Sequence, residues 1–388
     1  MKNRIILLIK IIVCIALILG MTGCWNRREL DTLAILMGIG LDKPMDNGNI
    51  QLTAQIIEPE RLKVPKQEGG SGDKKAFWNA KSTGNTVFDA LRNFTHESSR
   101  KVYLPDNQVI IFGRDIAKEG VQKYIDFFTR DHETRLNVWV LVARDSAGEI
   151  LDVESKFGKI PAKNIADLAE AQNATSQTSI VTLKQFLARL MSKTTAPIAP
   201  FIEVTGTDKE KSVVISETAV FKRDKLAGRL DKTETRGLLW VIGKVKSGII
   251  VVDCPDGNGT ASLEIIRAGS KITAEMKDNR IYFKIKITEE GNLGDQSCPE
   301  NLTEQSKIEV LEKEKAEAIK GEIMAAFKKA CELDADIFGF GEAIHKKYPR
   351  VWKNMESRWG EIFPDIELEI TVDAKLRRSG KINKPVNS

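Results

Sequence analysis

The sequence predicts a two-part protein, in which a mixed α/β N-terminal part precedes an antiparallel sheet packed by a long amphipathic helix. Three observations support this fold class. Strand-like and helix-like segments interleave between Ala34 and Ala143, as in α/β architectures. Consecutive strand-like segments with turn signals run from Val213 to Thr288, as in antiparallel sheets. Between Thr303 and Leu333, apolar residues recur at helical spacing, which predicts an amphipathic helix.

Residues 1–23 are interpreted as an export signal. Lys2, Arg4 and Lys10 supply positive charge, and an apolar core runs from Ile5 to Leu19. This core is shorter than the roughly 20 apolar residues that span a bilayer. We therefore expect a signal peptide that is removed from the mature chain.

Met21-Thr22-Gly23-Cys24 resembles the lipobox of bacterial lipoproteins, although Met21 stands where leucine is more frequent. The resemblance implies cleavage after Gly23 and a diacylglyceryl group on the thiol of Cys24, with acylation of the new amine left open. Two alternatives are an ordinary signal peptide and an uncleaved N-terminal anchor. With two or more acyl chains, each contributing about 0.8 kcal/mol per buried CH₂, the lipid would hold the body stably on a membrane.

Length and composition indicate a multi-domain protein of ordinary globular character. The chain has 388 residues, which is too long for one compact core. Its hydrophobic fraction of 42% is ordinary for a globular protein. Removal of the signal lowers the net charge from +5 to +2, and the charges are interspersed, so no nucleic-acid partner is expected. Beyond the signal and Cys24, Cys254, Cys298 and Cys331 remain. A bridge between Cys254 and Cys298 is possible in an exported protein, but three free thiols are the favoured interpretation.

We place the N-terminal α/β domain at residues 24–205, with its boundary to the next domain between 192 and 212. Gly38 and Gly40 are interpreted as allowing close packing on the first strand, because no helix follows to complete a dinucleotide fingerprint. The predicted elements are strands at 34–41 and 50–56 around a turn at 46–48, a mobile loop at 59–75, a short strand at 77–80, a helix at 87–94, a strand at 108–112, a helix at 116–128, a strand at 137–143 and a helical part at 157–191.

We place the C-terminal α+β domain at residues 212–384. Its consecutive predicted strands between 213 and 288 form, most simply, one curved antiparallel sheet, across which the long helix lies. The Glu and Lys residues of that helix are interpreted as a solvated face. The predicted elements are strands at 213–221, 237–242, 248–252, 262–268, 271–276 and 280–288, the helix at 303–333, a second helix with Trp352, Met355 and Trp359, and a last strand at 366–376.

The sequence carries no pattern that predicts catalysis, a metal site or a bound cofactor other than the lipid. The three histidines, His96, His132 and His345, are far apart in sequence, which disfavours a triad or a metal centre. Gly237 to Lys244 fails the phosphate-loop pattern, since five residues separate its glycines and Val245 replaces the required Ser or Thr. We therefore predict a protein that is not an enzyme.

The chain resembles the Ger(x)C family, the C-subunit lipoproteins of bacterial spore germinant receptors. The resemblance covers nearly the whole mature chain, and Asn26 replaces an aspartate that is frequent in the family. The residues that carry it are Gly23-Cys24-Trp25-Asn26-Arg27-Arg28-Glu29-Leu30, Leu33-Ala34-Ile35, Gly38-Ile39-Gly40-Leu41-Asp42, Ala219-Val220-Phe221, Lys225-Leu226-Ala227-Gly228, Thr235-Arg236-Gly237, Asp336-Ile337-Phe338-Gly339-Phe340-Gly341, Tyr348-Pro349, Trp352, Trp359 and Ile362-Phe363-Pro364.

This resemblance implies a non-catalytic subunit, anchored by lipid to the outer face of the spore inner membrane. Its partners would be that membrane and two integral membrane receptor subunits, one of them permease-like. Together they would trigger germination in response to nutrients. Direct binding of a small molecule stays open. The alternative is a lipid-anchored extracellular solute-binding protein, which would show two similar α/β lobes around a polar cleft.

Overall fold

The computed structural model describes residues 2–20, 32–44, 50–62, 75–154, 157–207, 210–277 and 280–378. Within these ranges the strands are β1 Leu33–Asp42, β2 Ile50–Ile57, β3 Phe77–Gly84, β4 Lys101–Tyr103, β5 Val109–Phe112, β6 Trp139–Ala143, β7 Val181–Thr182, β8 Ile198–Thr205, β9 Ser212–Lys222, β10 Lys225–Leu230, β11 Gly248–Asp253, β12 Thr260–Lys277, β13 Arg280–Gln296 and β14 Glu367–Arg378. The helices are α1 Lys2–Gly20, α2 Pro59–Leu62, α3 Val87–Asn93, α4 Arg114–Glu119, α5 Gln122–Arg130, α6 Ala147–Asp152, α7 Pro161–Ala171, α8 Leu183–Leu190, α9 Lys232–Val241, α10 Gln305–Glu332, α11 Phe340–Lys347, α12 Pro349–Met355 and α13 Trp359–Ile362.

The larger sheet has the strand order β10-β9-β8-β6-β5-β1-β2-β3, with β4 beside β1 and β7 beside β6. Strands β8, β6, β5 and β1 run parallel at its centre. All four residues of β5 are buried apolar residues, because helices cover both faces of a central parallel strand. Val109 and Ile111 pack with α6 and α7 on one face, and Ile110 and Phe112 pack into the main core on the other. The predicted mixed α/β part is confirmed.

The smaller sheet has the order β11-β12-β13-β14. Its first three strands pair antiparallel, and α10 packs on it as predicted for residues 303–333. Strand β14, which corresponds to the predicted last strand, pairs parallel to β13, an orientation that was not predicted from the sequence. A parallel neighbour requires a crossover connection, and here α10 to α13 provide it.

The predicted strand at Gly237–Ile242 is wrong, because these residues belong to α9 and its C-terminal cap. Asp231 caps the helix and forms a capping box with Glu234, a reciprocal hydrogen-bond pattern that favours a helix start. The apolar run resembles a strand because α9 is buried from Thr235 to Val241. A Cβ atom at Gly237 would lie 2.0 Å from the backbone oxygen of Glu322, so glycine permits the close packing of α9 on α10.

The larger sheet crosses the predicted boundary between residues 192 and 212. Strands β8 and β9 pair antiparallel from Thr205 and Ser212 to Ile198 and Val220, so the segment at 213–221 belongs to the larger sheet and not to the C-terminal one. The division into domains 24–205 and 212–384 stays a prediction. In the predicted mobile loop, 59–62 form α2 and 63–74 lie outside the described residues, as does the turn at 46–48.

A disulfide joins Cys254, at the end of β11, to Cys298, after β13. The favoured expectation of free thiols is therefore wrong for these two residues. Cys331 is free and half-buried on α10. Both bridged residues are buried, and the bridge closes a 44-residue span that contains the hairpin β12-β13.

Removing this disulfide should destabilise the C-terminal sheet. For a span of 44 residues, the chain-entropy estimate of the lost stabilisation is about 4 kcal/mol. We expect the Cys254→Ser/Cys298→Ser variant to lose about 2–4 kcal/mol of unfolding free energy, measured by denaturant titration. Cys331→Ser is the control and should behave like the unaltered chain under oxidising conditions. Equal stability of the double variant and the control would contradict the prediction.

Candidate functional site

The N-terminal segment contains the residues predicted to attach the lipid. Helix α1 exposes the apolar side chains of Ile5, Ile6, Leu7, Leu8, Ile9, Ile11, Ile12 and Ile15. None of the helices in the described part of the chain has both the length and the apolar character needed to cross a bilayer. Gly23 and Cys24 lie outside the described residues, so cleavage and lipid attachment stay predictions.

Asp336 organises the loop between α10 and α11. Its side chain is buried, with 6% of its surface exposed. Burial raises the pKa of the Asp336 carboxyl, and hydrogen bonds from the backbone of Gly341, Phe340 and Gly339 act in the opposite direction. Its two carboxylate oxygens accept five hydrogen bonds. Oδ1 accepts from the backbone amides of Phe338, Gly339 and Phe340 at 2.8–3.1 Å. Oδ2 accepts from the backbone amide of Gly341 at 2.8 Å and from the indole N–H of Trp359 at 3.2 Å.

The Asp336 loop joins the two sheets. The amide of Ala196, just before β8, donates to the backbone oxygen of Asp336 at 2.8 Å. The guanidinium of Arg189, on α8, donates through Nη1 to the backbone oxygens of Ala196 and Ile337, both at 2.9 Å. The hydroxyl of Thr194 donates to Glu342 at 3.4 Å. The loop therefore holds α8 and β8 against the start of α11.

A buried ion pair fixes α9 to α10. The guanidinium of Arg236 donates to both oxygens of Glu322, through Nε at 3.0 and 2.9 Å and through Nη2, and the side chains are only 9% and 8% exposed. Arg236 also donates to the backbone oxygen of Ile249 at 2.9 Å, and the indole of Trp240 donates to Glu322 at 2.8 Å. Because both carboxylate oxygens of Glu322 accept hydrogen bonds and Arg236 also binds β11, the pair fixes the register of α9, α10 and β11.

A second buried pair joins α10 to β13. Nζ of Lys315 lies 2.6 Å from Oε1 of Glu289, and both side chains are fully buried. Lys315 also donates to the backbone oxygen of Glu264 at 3.2 Å. Oε2 of Glu289 has no hydrogen-bond partner within the described residues. Burial raises the pKa of Glu289 and lowers the pKa of Lys315, and their mutual attraction opposes both shifts.

Breaking this second pair should cost more than removing it. Lys315→Met leaves the carboxylate of Glu289 buried without a cation, and we expect a loss of about 3–5 kcal/mol of unfolding free energy. Lys315→Met combined with Glu289→Leu should regain most of that loss, because no charge then remains buried. Urea titration of the three variants measures both effects. The control is Lys320→Met, which removes an exposed ion pair with Glu317 on the same helix. This change should cost at most about 1 kcal/mol of unfolding free energy. A Lys315→Met variant that is as stable as this control would contradict the prediction.

These two ion pairs were not foreseen from the sequence. The charged residues of α10 were interpreted as a solvated face, but Lys315 and Glu322 lie on its buried side together with Leu311, Ile319 and Ile323. Their spacing carries the signal that could have revealed them. A charge that falls at an apolar-stripe position needs a buried partner.

The described residues show no catalytic constellation. His96 follows α3, His132 follows α5, and His345 lies on α11, where it stacks on Trp352 at 6.0 Å. No group of three or more His, Cys, Asp or Glu side chains in the described ranges could hold a metal ion. Burial raises the pKa of the free thiol of Cys331, which disfavours the reactive thiolate. The buried polar groups described above serve to position structural elements.

Two family models match the chain in consecutive ranges. The model described as "Spore germination protein N-terminal domain" matches residues 26–204, and the model described as "Spore germination B3/ GerAC like, C-terminal" matches residues 216–380. Similar proteins include spore germination protein KC of Bacillus subtilis (strain 168), 28% identical over 95% of both chains. Spore germination protein A3 of the same strain is 26% identical over 96% of this chain and 98% of its own length.

A solved structure has a similar fold. It is the crystal structure of the GerBC protein, which superposes with a TM-score of 0.54 at 19% sequence identity. The match covers 87% of this chain and 96% of the other chain. At this identity, the similarity concerns the fold alone, and it extends over both sheets described above.

Proposed function

Because this chain belongs to the spore germination GerAC/GerKC family, the C subunits of germinant receptors, we propose that it is the lipid-anchored, non-catalytic subunit of a nutrient germinant receptor. It lies on the outer face of the spore inner membrane, is attached there through Cys24, and is needed for germination in response to nutrients. The observation that carries this proposal is the match of both family models along nearly the whole chain.

The anchor keeps the body close to the membrane. Nine residue steps separate Cys24 from Leu33, where β1 begins, and at about 3.3–3.6 Å per step they reach at most about 32 Å. The lipid thus confines the body near two integral membrane subunits, one of them permease-like, and raises their effective concentration for docking.

The way in which the two sheets are packed together supports the proposal of a non-catalytic, structural subunit. Its two sheets share one continuous hydrophobic core, and the Asp336 loop and the Arg236–Glu322 pair fix the helices between them. A solute-binding protein would show two similar lobes around a cleft, whereas these sheets differ in strand number and order. This difference favours the receptor-subunit proposal over that alternative.

Co-purification from spore membranes tests the proposal. The full-length chain with a C-terminal tag is cross-linked in intact membranes and purified in detergent, and bound proteins are identified by mass spectrometry. We expect the two integral membrane subunits at amounts comparable to the tagged chain. A membrane lipoprotein that copies the anchor but carries another body is the matched control. Recovery of the chain alone, together with normal nutrient germination in a strain that lacks it, would overturn the proposal.

A further inference from the structure

A cavity of about 290 Å³ lies at the junction of the two sheets. It is bounded by α8, by the segment that connects α7 to α8, and by the turn between α9 and β11. We call it the junction cavity. Its walls carry Arg189 from α8, Ser176 from the connecting segment, and Lys244 and Lys246 from the turn. The larger sheet and the C-terminal part therefore both contribute polar groups to it.

The junction cavity has an excess of positive charge. None of the described residues that line it is an aspartate or a glutamate. Arg189, Lys244 and Lys246 form no ion pair with a carboxylate in the described part of the chain. Within the described residues, Arg189 binds protein oxygens through Nη1 alone, so Nε and Nη2 keep donors for another acceptor. Three cations that line one cavity, with no carboxylate among its described lining residues, favour binding of an anion.

Arg189 is held in place by its own contacts. Its Nη1 bridges the backbone oxygens of Ala196 and Ile337, which fixes the plane of the guanidinium. Burial lowers the pKa of Arg189 to about 10, and the negative charge of Asp336 partly offsets this. Arg189 therefore remains charged at neutral pH. Asp336 does not neutralise it by a direct contact, since its oxygens are occupied by the five donors of its loop.

Ser176 supplies a further donor and carries backbone strain. Its φ is +50°, a left-handed conformation that is unfavourable for residues other than glycine and is found preferentially at functional sites. Its hydroxyl oxygen accepts from the amides of Lys246 at 2.9 Å and Ser247 at 3.3 Å. Its hydroxyl hydrogen has no acceptor within the described residues and is available to a ligand.

The rest of the lining defines the size and character of the ligand. Trp139, Ile180, Ile198 and Leu239 provide an apolar wall. A volume of about 290 Å³ lies near the lower end of the range for small-molecule pockets, roughly 300–1,000 Å³. The combination of an apolar wall with a cationic one matches a molecule that has one acidic group and a small apolar body.

We propose that the junction cavity binds a small organic anion, whose carboxylate or phosphate group lies among Arg189, Lys244 and Lys246 and whose apolar body packs towards Trp139 and Leu239. Such a ligand contacts both α8 and the turn after α9, so its binding stabilises the junction of the two sheets. The inference goes beyond the receptor-subunit proposal and does not depend on it.

Calorimetry of the full-length chain in a maltoside detergent tests this proposal. The probes are benzoate, phenyl phosphate and inorganic phosphate, with benzamide as the neutral counterpart of benzoate. We expect one equivalent of benzoate or phenyl phosphate to bind at physiological salt, where exposed charges are largely screened. Benzamide should bind at least about tenfold more weakly. Benzoate and phenyl phosphate compared with each other identify the acidic group, and inorganic phosphate shows how much the apolar body contributes.

Matched variants locate the binding. Lys244→Gln/Lys246→Gln removes two exposed lysines from the cavity wall and should weaken anion binding at least about tenfold. Lys271→Gln/Lys286→Gln removes the same charge from exposed positions on β12 and β13 and should leave binding unchanged. The proposal is overturned if no anion binds, if benzamide binds as well as benzoate, or if the two double variants lose affinity equally. Thermal unfolding of both variants verifies that they are folded.

Discussion

Replacing Cys24 with alanine should abolish both membrane attachment and nutrient germination. The thiol of Cys24 is the proposed attachment point of the lipid, and two or more acyl chains are needed for a stable hold, since a single chain gives only marginal binding. The variant should be found either in the soluble fraction or as a precursor that retains residues 1–23. Fractionation of spore extracts, the mass of the N-terminal peptide and the germination response to nutrients measure the three consequences.

Two matched chains separate the tether from other roles of Cys24. Cys331→Ala changes a cysteine of α10 that is free and should keep both the anchor and germination. A Cys24→Ala chain that carries an unrelated membrane-spanning helix in place of residues 1–23 should regain germination, because the body is again confined near its partners. Full germination by the soluble Cys24→Ala protein would refute the tether.

Asp336→Ala should destabilise the protein more than any other single change considered above. It leaves four backbone amides and the indole of Trp359 without their acceptor. A buried donor without a partner costs about 1–3 kcal/mol, so a loss of at least about 5 kcal/mol is expected even after partial hydration. This loss is comparable to the whole stability of many domains, about 5–15 kcal/mol. Unfolding in urea and the yield of folded protein measure the effect.

The Asp336→Asn variant and a neighbouring control refine this prediction. Asn keeps one carbonyl oxygen but turns an amide group towards the other donors, so its cost should lie between that of Ala and that of the unaltered chain. Asp334, two residues away, forms an exposed ion pair with Lys222, and Asp334→Asn should cost at most about 1 kcal/mol. If Asp336→Ala is no more damaging than Asp334→Asn, the loop does not depend on this carboxylate.

The parts of the fold that were predictable from the sequence are those in which local pattern and burial agree. A strand was predicted at residues 108–112, and Val109–Phe112 form β5. The apolar stripe from Leu311 to Ala330 indicates a packed helix, and it lies on α10.

The features that were missed depend on contacts between distant segments. The run Gly237–Ile242 was mistaken for a strand because a helix buried on all sides loses its amphipathic period. The capping-box pattern of Asp231 and Glu234 would have indicated the start of a helix instead. The partners of Lys315 and Arg236 lie 26 and 86 residues away in sequence, and no local pattern reveals them. The junction cavity is likewise assembled from α8 and the turn after α9, which adjoin only in the folded chain.

The hairpin of β8 and β9 sets an order of events during synthesis. Strand β8 is paired with β6 over two residues only, and its longer pairing is with β9. A nascent chain on the ribosome cannot close this edge until the residues beyond Ser212 have emerged. A fragment that stops at residue 205 would expose the backbone of β8 to other chains, a known route to aggregation. The two halves of the gene product are thus expected to mature as one unit.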